Sequence, residues 1–536
     1  MYVTQIVGND YRWWKSGDAV FIECPTGTGK TQFIMKTLLP YAKANNRRIL
    51  YLSNRFMLKE QIKVQIAEQQ DLPLESDWLE AVEEFQGITV ISYQKLQEIC
   101  KRGRAGRYLD TRQYQLVVWD EVHYLIEDAA FNPEVYWSLQ FLLKCSATNI
   151  FLSATMEDIQ RTILELKYEG SIIWQTKRQW SQYCSICEMQ SVTRSTMGYP
   201  PLMYFYQMDT IKNISRVNYF QGYEEIIDEI NFAGQEEKWL IFMSNKKKAR
   251  DLQKRIDNAE VLTSENTDCL AMREIIENEK FSCRVLIATK ILDNGITIKD
   301  RDLNHIVIDT ISRVEFLQMA GRKRFVDNED MANLYIPQKD VRYFTGYLHT
   351  NLNQLMAVLN KNWLDEEIAE QLLHDEENAK LIKTFFCWDN GKFVKNPLAE
   401  EYYSMKKRFL VNMVDKMKKD PYAFVKQQLR WLGISESFSE DNALIFRRRE
   451  RLLKQIENLM RGLCMQSLES DEQSTLRKEI TKLAKAAGIQ NSAGNRNMGL
   501  KLINEFCSEN GISYYVESKE GKKKGQKTVW IVKEAC

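Results

Sequence analysis

The chain has 536 residues, of which 44% are hydrophobic, 27% charged and 11% aromatic, with only 23 Gly and 9 Pro. That length and composition exclude a small disulfide-stapled scaffold, a collagen-like rod and a disordered chain, and imply several globular domains. Net charge is +1, so no whole-molecule field advertises a polyanionic partner and any basic surface must be local.

Five short apolar runs, at 19–24 (AVFIEC), 48–53 (RILYLS), 88–92 (ITVIS), 116–120 (LVVWD) and 149–153 (NIFLS), alternate with helical stretches over residues 1–165. Continuous apolar runs of this length read as strands buried on both faces, and their alternation with helices reads as βαβ units around a parallel sheet. A polar and aromatic stretch from about 165 to 235 reads as irregular. The same grammar returns at 239–243 (WLIFM), 260–263, 284–289 (RVLIAT), 305–310 (HIVIDT) and 333–336. A second α/β domain over 166–340 follows. From 341 the apolar spacing turns helical, which gives a mostly helical accessory region over 341–470. Residues 471–536 read as two helices and then two strand-like runs, 512–517 and 528–532, around the basic tip KEGKKKGQK.

No apolar run approaches the roughly 20 residues that span a bilayer, and the first residues lack the apolar stretch of a signal peptide. A cytoplasmic chain with no membrane contact is expected, its eleven cysteines present as thiols. Cys184 and Cys187 have the CxxC spacing of a zinc half-site, but no second half-site completes it, so two half-buried strand cysteines and no metal are the expected reading.

The chemistry concentrates at 24–31, CPTGTGKT, placed after an apolar strand and before a helical run. Gly27 and Gly29 let the backbone of Pro25, Thr26 and Thr28 fold round a polyphosphate, Lys30 supplies a cation to its β and γ phosphates, and Thr31 is suited to ligate Mg²⁺. Asp120, Glu121, Val122 and His123 (DEVH) follow another apolar run, at the strand end where α/β sheets bind ligands. Asp120 is suited to hold Mg²⁺ through its water shell, and Glu121 to orient and deprotonate an attacking water.

GTGKT, DEVH, Ser153-Ala154-Thr155 and QMAGRKR at 318–324 together resemble, in order and spacing, the motifs of a superfamily 2 DExH-type (DEAD/DEAH-like) ATP-dependent helicase. The resemblance covers roughly residues 1–340. It implies two RecA-like lobes that close on ATP, with Lys30, Thr31, Asp120 and Glu121 forming the hydrolytic site. It further implies that Arg322 reaches across the cleft as an arginine finger and that Gln318 contacts the γ-phosphate or the water. Ser153 and Thr155 would couple the cleft to the strand-binding face, with His123 near the γ-phosphate. Ser53, Asn54 and Arg55, Ser92 and Tyr93, Ser244 and Asn245, Thr263, and Thr289 with Asp293, Asn294 and Gly295 would meet backbone phosphates, relay closure or, for Gly295, border the nucleotide. A capping or turn role is the plain alternative for each of these singly. The family's second arginine position holds Phe325, which leaves open whether Arg324, one residue earlier, serves instead. Only 22 residues separate Gly295 from Gln318, too few for a long strand-splitting hairpin.

The resemblance implies ATP and Mg²⁺ as cofactors and a nucleic-acid track, with DNA somewhat favoured over RNA. The expected function is movement along, or unwinding of, DNA or RNA; the alternative is an ATP-gated clamp that recruits a partner. In the tail, two helices and a hairpin bearing Lys522, Lys523 and Lys524 look like a winged helix whose wing meets phosphates. Residues 481–536 hold 10 basic and 5 acidic side chains, and a protein partner through this region is also expected. The run Arg447-Arg448-Arg449 reads as a solvated face. The expected fold class is thus α/β: two tandem RecA-like parallel-sheet lobes plus a mostly helical C-terminal region ending in a winged-helix-like hairpin.

Overall fold

The computed structural model describes residues 2–25, 27–53, 56–102, 113–167, 175–179, 181–188, 201–208, 213–263, 265–266, 269–289, 296–352, 385–389, 392–489, 497–519 and 528–535. Two compact units divide the chain: one comprises 1–216, 235–334 and 338–437, the other 217–234, 335–337 and 438–536.

The first unit contains the first sheet and four strands of the second. In the first sheet the strands are β1 (Ala19–Glu23), β2 (Ile49–Ser53), β3 (Glu84–Phe85), β4 (Ile88–Ser92), β5 (Leu116–Trp119), β6 (Thr148–Ser153), β7 (Gln175–Gln179), β8 (Cys184–Glu188) and β9 (Leu202–Gln207). Their order is β3-β4-β2-β5-β6-β1-β9-β8-β7. The stretch from β4 to β9 is parallel, with Ala19 opposite Asn149 on one side and Met203 on the other. Alternation explains why these runs are apolar throughout: Phe21, Leu50, Leu52 and Val117 pack on one face, Val20, Ile22, Tyr51 and Val118 on the other, and all are buried. Burying each large apolar side chain stabilises the sheet by about 1.5–3 kcal/mol. Because the strands are parallel, the segments after β1, β5 and β6, which carry the three first-lobe motifs, emerge at one edge.

The first sheet reaches residue 207, whereas the sequence reading closed the first lobe at 165. The cause is that β7 and β8 are short antiparallel additions outside the βαβ series, β8 pairing with β9 and β7 with β8. The cysteine pair lies on β8, and residues three apart on a strand face opposite ways. Cys184 joins the core on one face and Cys187 the core on the other, so one metal ion is out of reach of both thiols.

The second lobe is a parallel sheet built on Leu303–Asp309, Lys238–Met243, Val285–Ala288 and Ala259–Leu262 in that spatial order, with Trp239 opposite His305 and Val285. The same unit carries helices Pro397–Met417 and Ala423–Trp431 and a hairpin, Phe386–Asp389 with Lys392–Lys395, that the helical reading of 341–470 did not anticipate.

The second unit has helices Leu444–Gly462, Ser470–Ala486 and Leu500–Glu509 and an antiparallel sheet in the order Ser467–Leu468, Val529–Glu534, Tyr514–Lys519. Its core joins Ile456 and Met460 to Ile480, Ile503, Val516 and Val532, so the helix before residue 471 belongs to the terminal fold. Arg447 and Arg451 both pair with Glu229, and Arg448 pairs with Asp228 at 2.9 Å. The basic run is therefore an ion-pair seam onto helix Tyr223–Phe232 rather than a solvated face.

One half-buried cation gives the first lobe a pH signature. Lys167 ends helix Glu157–Lys167 and donates to the carbonyls of Leu142 (2.6 Å) and Cys145 (2.7 Å), at the C-terminus of helix Val135–Lys144. Burial pulls its ammonium down to about 8, only partly opposed by Cys145. Below that value both folded and unfolded chains carry the proton; between there and the ordinary lysine range the unfolded chain binds more, so this group makes stability rise with pH. Urea midpoints from pH 7.5 to 10 should thus rise for the wild type relative to Lys167→Met, and parallel profiles would contradict the assignment.

Candidate active site

The phosphate loop is shaped by two left-handed glycines, Gly27 at φ 81° and Gly29 at φ 80°, a region that an L side chain enters only with strain. Thr28 Oγ1 donates to the Pro25 carbonyl at 2.7 Å, and the N–H of Val3 donates to the Thr28 carbonyl at 2.9 Å, bringing the N-terminal segment beside the loop. Thr26 lies outside the described residues. Lys30 opens helix Lys30–Phe33, is buried, and places Nζ 3.3 Å from Glu121 Oε1 and 3.4 Å from the Cys24 carbonyl. Burial alone would depress this ammonium, but Glu121, Cys24 and Asp120 together hold it above its ordinary value.

Asp120 follows β5 and is 3% exposed. Its Oδ2 accepts from the Tyr51 hydroxyl at 2.7 Å, its Oδ1 from the Glu121 N–H at 3.1 Å, and its carbonyl from the Tyr93 hydroxyl at 3.0 Å. Burial first, and then Glu121, push its carboxyl above the usual carboxylate range against the pull of Lys30. Glu121 sits at φ 50°, uncommon for a residue with a side chain, and this turn presents its carboxylate to Lys30 and, at 3.4 Å, to His123 Nδ1.

His123 links the two lobes. Its Nε2 is 2.8 Å from Gln318 Nε2, and its Nδ1 is 2.9 Å from Ser153 Oγ. Ser153 Oγ in turn donates to the Thr155 carbonyl and accepts from the Thr155 N–H, both at 2.9 Å. Gln318 thus contacts the DEVH histidine, and through it the Ser-Ala-Thr turn.

The arginines separate sharply. Arg322 is buried and donates to the Ile296 carbonyl at 3.3 Å. Lys323 is sealed in an ion pair with Asp330 at 2.6 Å and lies over the Phe325 ring at 5.3 Å. Arg324 instead occupies the phosphate loop's concavity: a Cβ at Gly27 would stand 2.6 Å from its Cζ and Nη1. Burial lowers its guanidinium to about 10, partly opposed by the charge of Glu121. The guanidinium over the loop is that of Arg324, where the resemblance implied Arg322.

The other sequence candidates are spent locally or undescribed. Thr263 is held by Asn266 (Oγ1 to Oδ1, 3.0 Å), Thr289 donates to the Leu262 carbonyl at 3.4 Å, and Asn245 and Ser92 accept from the backbone of Lys248 and Lys95. Asn54, Arg55, Asp293, Asn294, Gly295, Lys522, Lys523 and Lys524 lie outside the described residues. Two interactions escaped the sequence reading. Arg313 pairs with Glu157 of the first lobe at 2.6 Å, and Tyr51 donates to Asp120. A tyrosine inside an otherwise aliphatic strand was the available signal for the second, since a buried phenol needs a partner.

The donor chemistry fits a metal-bound polyphosphate. Two adjoining carboxylates, Asp120 and Glu121, face one lysine, and Thr31 and Asp120 both meet the Tyr51 hydroxyl, so the two residues that would hold Mg²⁺ converge. The site thus joins a phosphate loop and DEVH on the first parallel-sheet lobe to a glutamine and an arginine that reach it from the second. Residues 11–162 match the family described as DEAD/DEAH box helicase, and the chain carries that domain. Those residues thus carry the domain of an ATP-dependent helicase family, whose activity is ATP hydrolysis.

No curated protein matches the sequence. Among solved structures, the S. cerevisiae protein titled Dbp5 bound to RNA and ADP BeF3 is similar at 14% identity and a TM-score of 0.38, over 60% of this chain and 78% of that one. A CRISPR-associated protein is similar at 12% identity and a TM-score of 0.44, over 78% and 54%. A hypothetical ATP-dependent RNA helicase from Sulfolobus tokodaii is similar at 12% identity and a TM-score of 0.25, over 62% and 90%. Among the described residues no helix is long and apolar enough to cross a membrane.

Proposed function

We propose that the chain is a nucleic-acid-stimulated ATPase that moves along, and separates, DNA or RNA strands. The observation that carries this reading is Arg324 of the second lobe standing over Gly27 of the first. Phosphoryl transfer needs little covalent help and much positive charge round the γ-phosphate, so a cation delivered from the other lobe makes hydrolysis depend on closure. Lys30 and the loop N–H groups bind the phosphates, Glu121 takes the proton of the attacking water, and Arg324 neutralises the charge that develops. Bound Mg²⁺, held through Thr31 and Asp120, would supply further neutralisation of the β and γ oxygens. The chain Gln318, His123, Ser153, Thr155 is suited to carry the closed state toward the track.

DNA is the first track to test, read through its phosphates. A cytoplasmic setting is part of this reading. The terminal unit, with its two helices before a hairpin, supports a winged-helix reading in which the wing lysines bind backbone. Replacing Lys522, Lys523 and Lys524 by Glu should weaken duplex binding and lower its salt slope by up to about 3, since each lysine that neutralises a phosphate adds about one to that slope. An unchanged slope would remove the wing from the interface.

The experiment that tests the reading is ATP-driven displacement of a labelled strand from tailed DNA and RNA duplexes. Displacement that needs ATP and fails in Lys30→Ala supports a motor. Tight ATP-dependent binding without displacement would replace it with the gated clamp, the alternative that the short segment before Gln318 favours.

A further inference from the structure

Tyr51 stands at the centre of β2 with its ring fully buried and its hydroxyl turned to the nucleotide site. Its neighbours Leu50 and Leu52 face the opposite core, so the strand's alternation alone aims this side chain at the site. The hydroxyl donates to Asp120 Oδ2 at 2.7 Å, on the side of the strand where Thr31 follows the phosphate loop. The phenol therefore holds a residue suited to bind the metal.

We propose that Tyr51 is a positioning residue for the Mg²⁺-nucleotide complex, fixing the Asp120 carboxylate in the arrangement that receives the cation. The inference rests on the ATP and Mg²⁺ reading above. A carboxylate turns about a broad terminal torsion unless both oxygens are held. Here Oδ1 is held by the Glu121 N–H and Oδ2 by Tyr51, and each oxygen keeps a second lone pair for a metal-bound water. Residues that orient metal ligands in this way change metal affinity by about 10–100-fold when removed. Tyr93 supplies an internal comparison, since its buried hydroxyl bonds only the Asp120 carbonyl among the bonds made to that residue's oxygens.

The test uses the full chain and a fluorescent ADP, whose affinity is measured in EDTA and across a Mg²⁺ titration for wild type, Tyr51→Phe and Tyr93→Phe, with melting temperatures taken alongside. Tyr51→Phe should bind ADP in EDTA as wild type does, yet need about 10–100-fold more Mg²⁺ to reach the tight state. Tyr93→Phe should keep the wild-type Mg²⁺ dependence. A wild-type Mg²⁺ titration in Tyr51→Phe, or an equal weakening with and without Mg²⁺, would reduce Tyr51 to a packing residue and overturn the proposal. Wild-type protein that binds ADP with no Mg²⁺ effect would instead remove the metal-nucleotide reading on which it rests.

Discussion

Arg324→Ala is expected to slow ATP hydrolysis by about a thousandfold or more while leaving ATP bound, the scale set by trans-acting arginines in phosphoryl transfer. The guanidinium stands where a side chain on Gly27 would stand, its charge facing Glu121 and the loop that cradles the phosphates. Nothing else in the turn after helix Arg313–Ala320 takes that place. Arg322 is committed to the Ile296 carbonyl and Lys323 to Asp330. Arg322→Ala should therefore cost fold stability, read as a lower melting temperature, because a half-buried carbonyl loses the donor of a buried guanidinium. Phe325→Arg should fail to rescue Arg324→Ala, since position 325 lies with Lys323 and away from Gly27. Single-turnover hydrolysis beside ATP affinity separates these outcomes. Wild-type rates in Arg324→Ala would mean that its position over the loop carries no catalytic charge.

Glu121→Gln should lower hydrolysis by about 10²–10⁴-fold, the usual contribution of a positioned general base, with ATP still bound. The amide keeps the shape of the side chain but loses the proton acceptor and the charge that Lys30 meets at 3.3 Å. The variant should hold nucleic acid longer in ATP than the wild type, because the lobes close and hydrolysis no longer opens them. Normal turnover would point to another base. Asp120 is the other carboxylate beside Lys30, and its two oxygens are already engaged by Tyr51 and the Glu121 N–H.

Much of this site was legible because its parts are local. A phosphate loop is a strand, two glycines, a lysine and a helix within a short stretch of chain, and DEVH marks the end of a strand by itself. The parallel strands were equally legible, since burial on both faces leaves runs such as ILYLS almost without polar residues to interrupt them. Strand β7 escaped because an antiparallel addition at a sheet edge can carry polar sequence such as QTKRQ, which reads as a loop. Arg324 escaped for another reason. Residues 321–325 leave a helix and follow no period, so sequence gives the charges of GRKRF but not the direction of each side chain. The partners of Arg447 and Arg448 lie more than 200 residues away on helix Tyr223–Phe232, and their pairing appears only once the terminal unit is folded. Tyr51 was in view throughout, its meaning fixed by the carboxylate across the sheet.

The most direct measurement is steady-state ATP hydrolysis by the purified chain, alone and with single-stranded DNA, duplex DNA, single-stranded RNA and duplex RNA, beside Lys30→Ala. The account predicts slow hydrolysis alone, strong stimulation by at least one of the four and loss of both in Lys30→Ala. Hydrolysis indifferent to all four, or undiminished by Lys30→Ala, would contradict it.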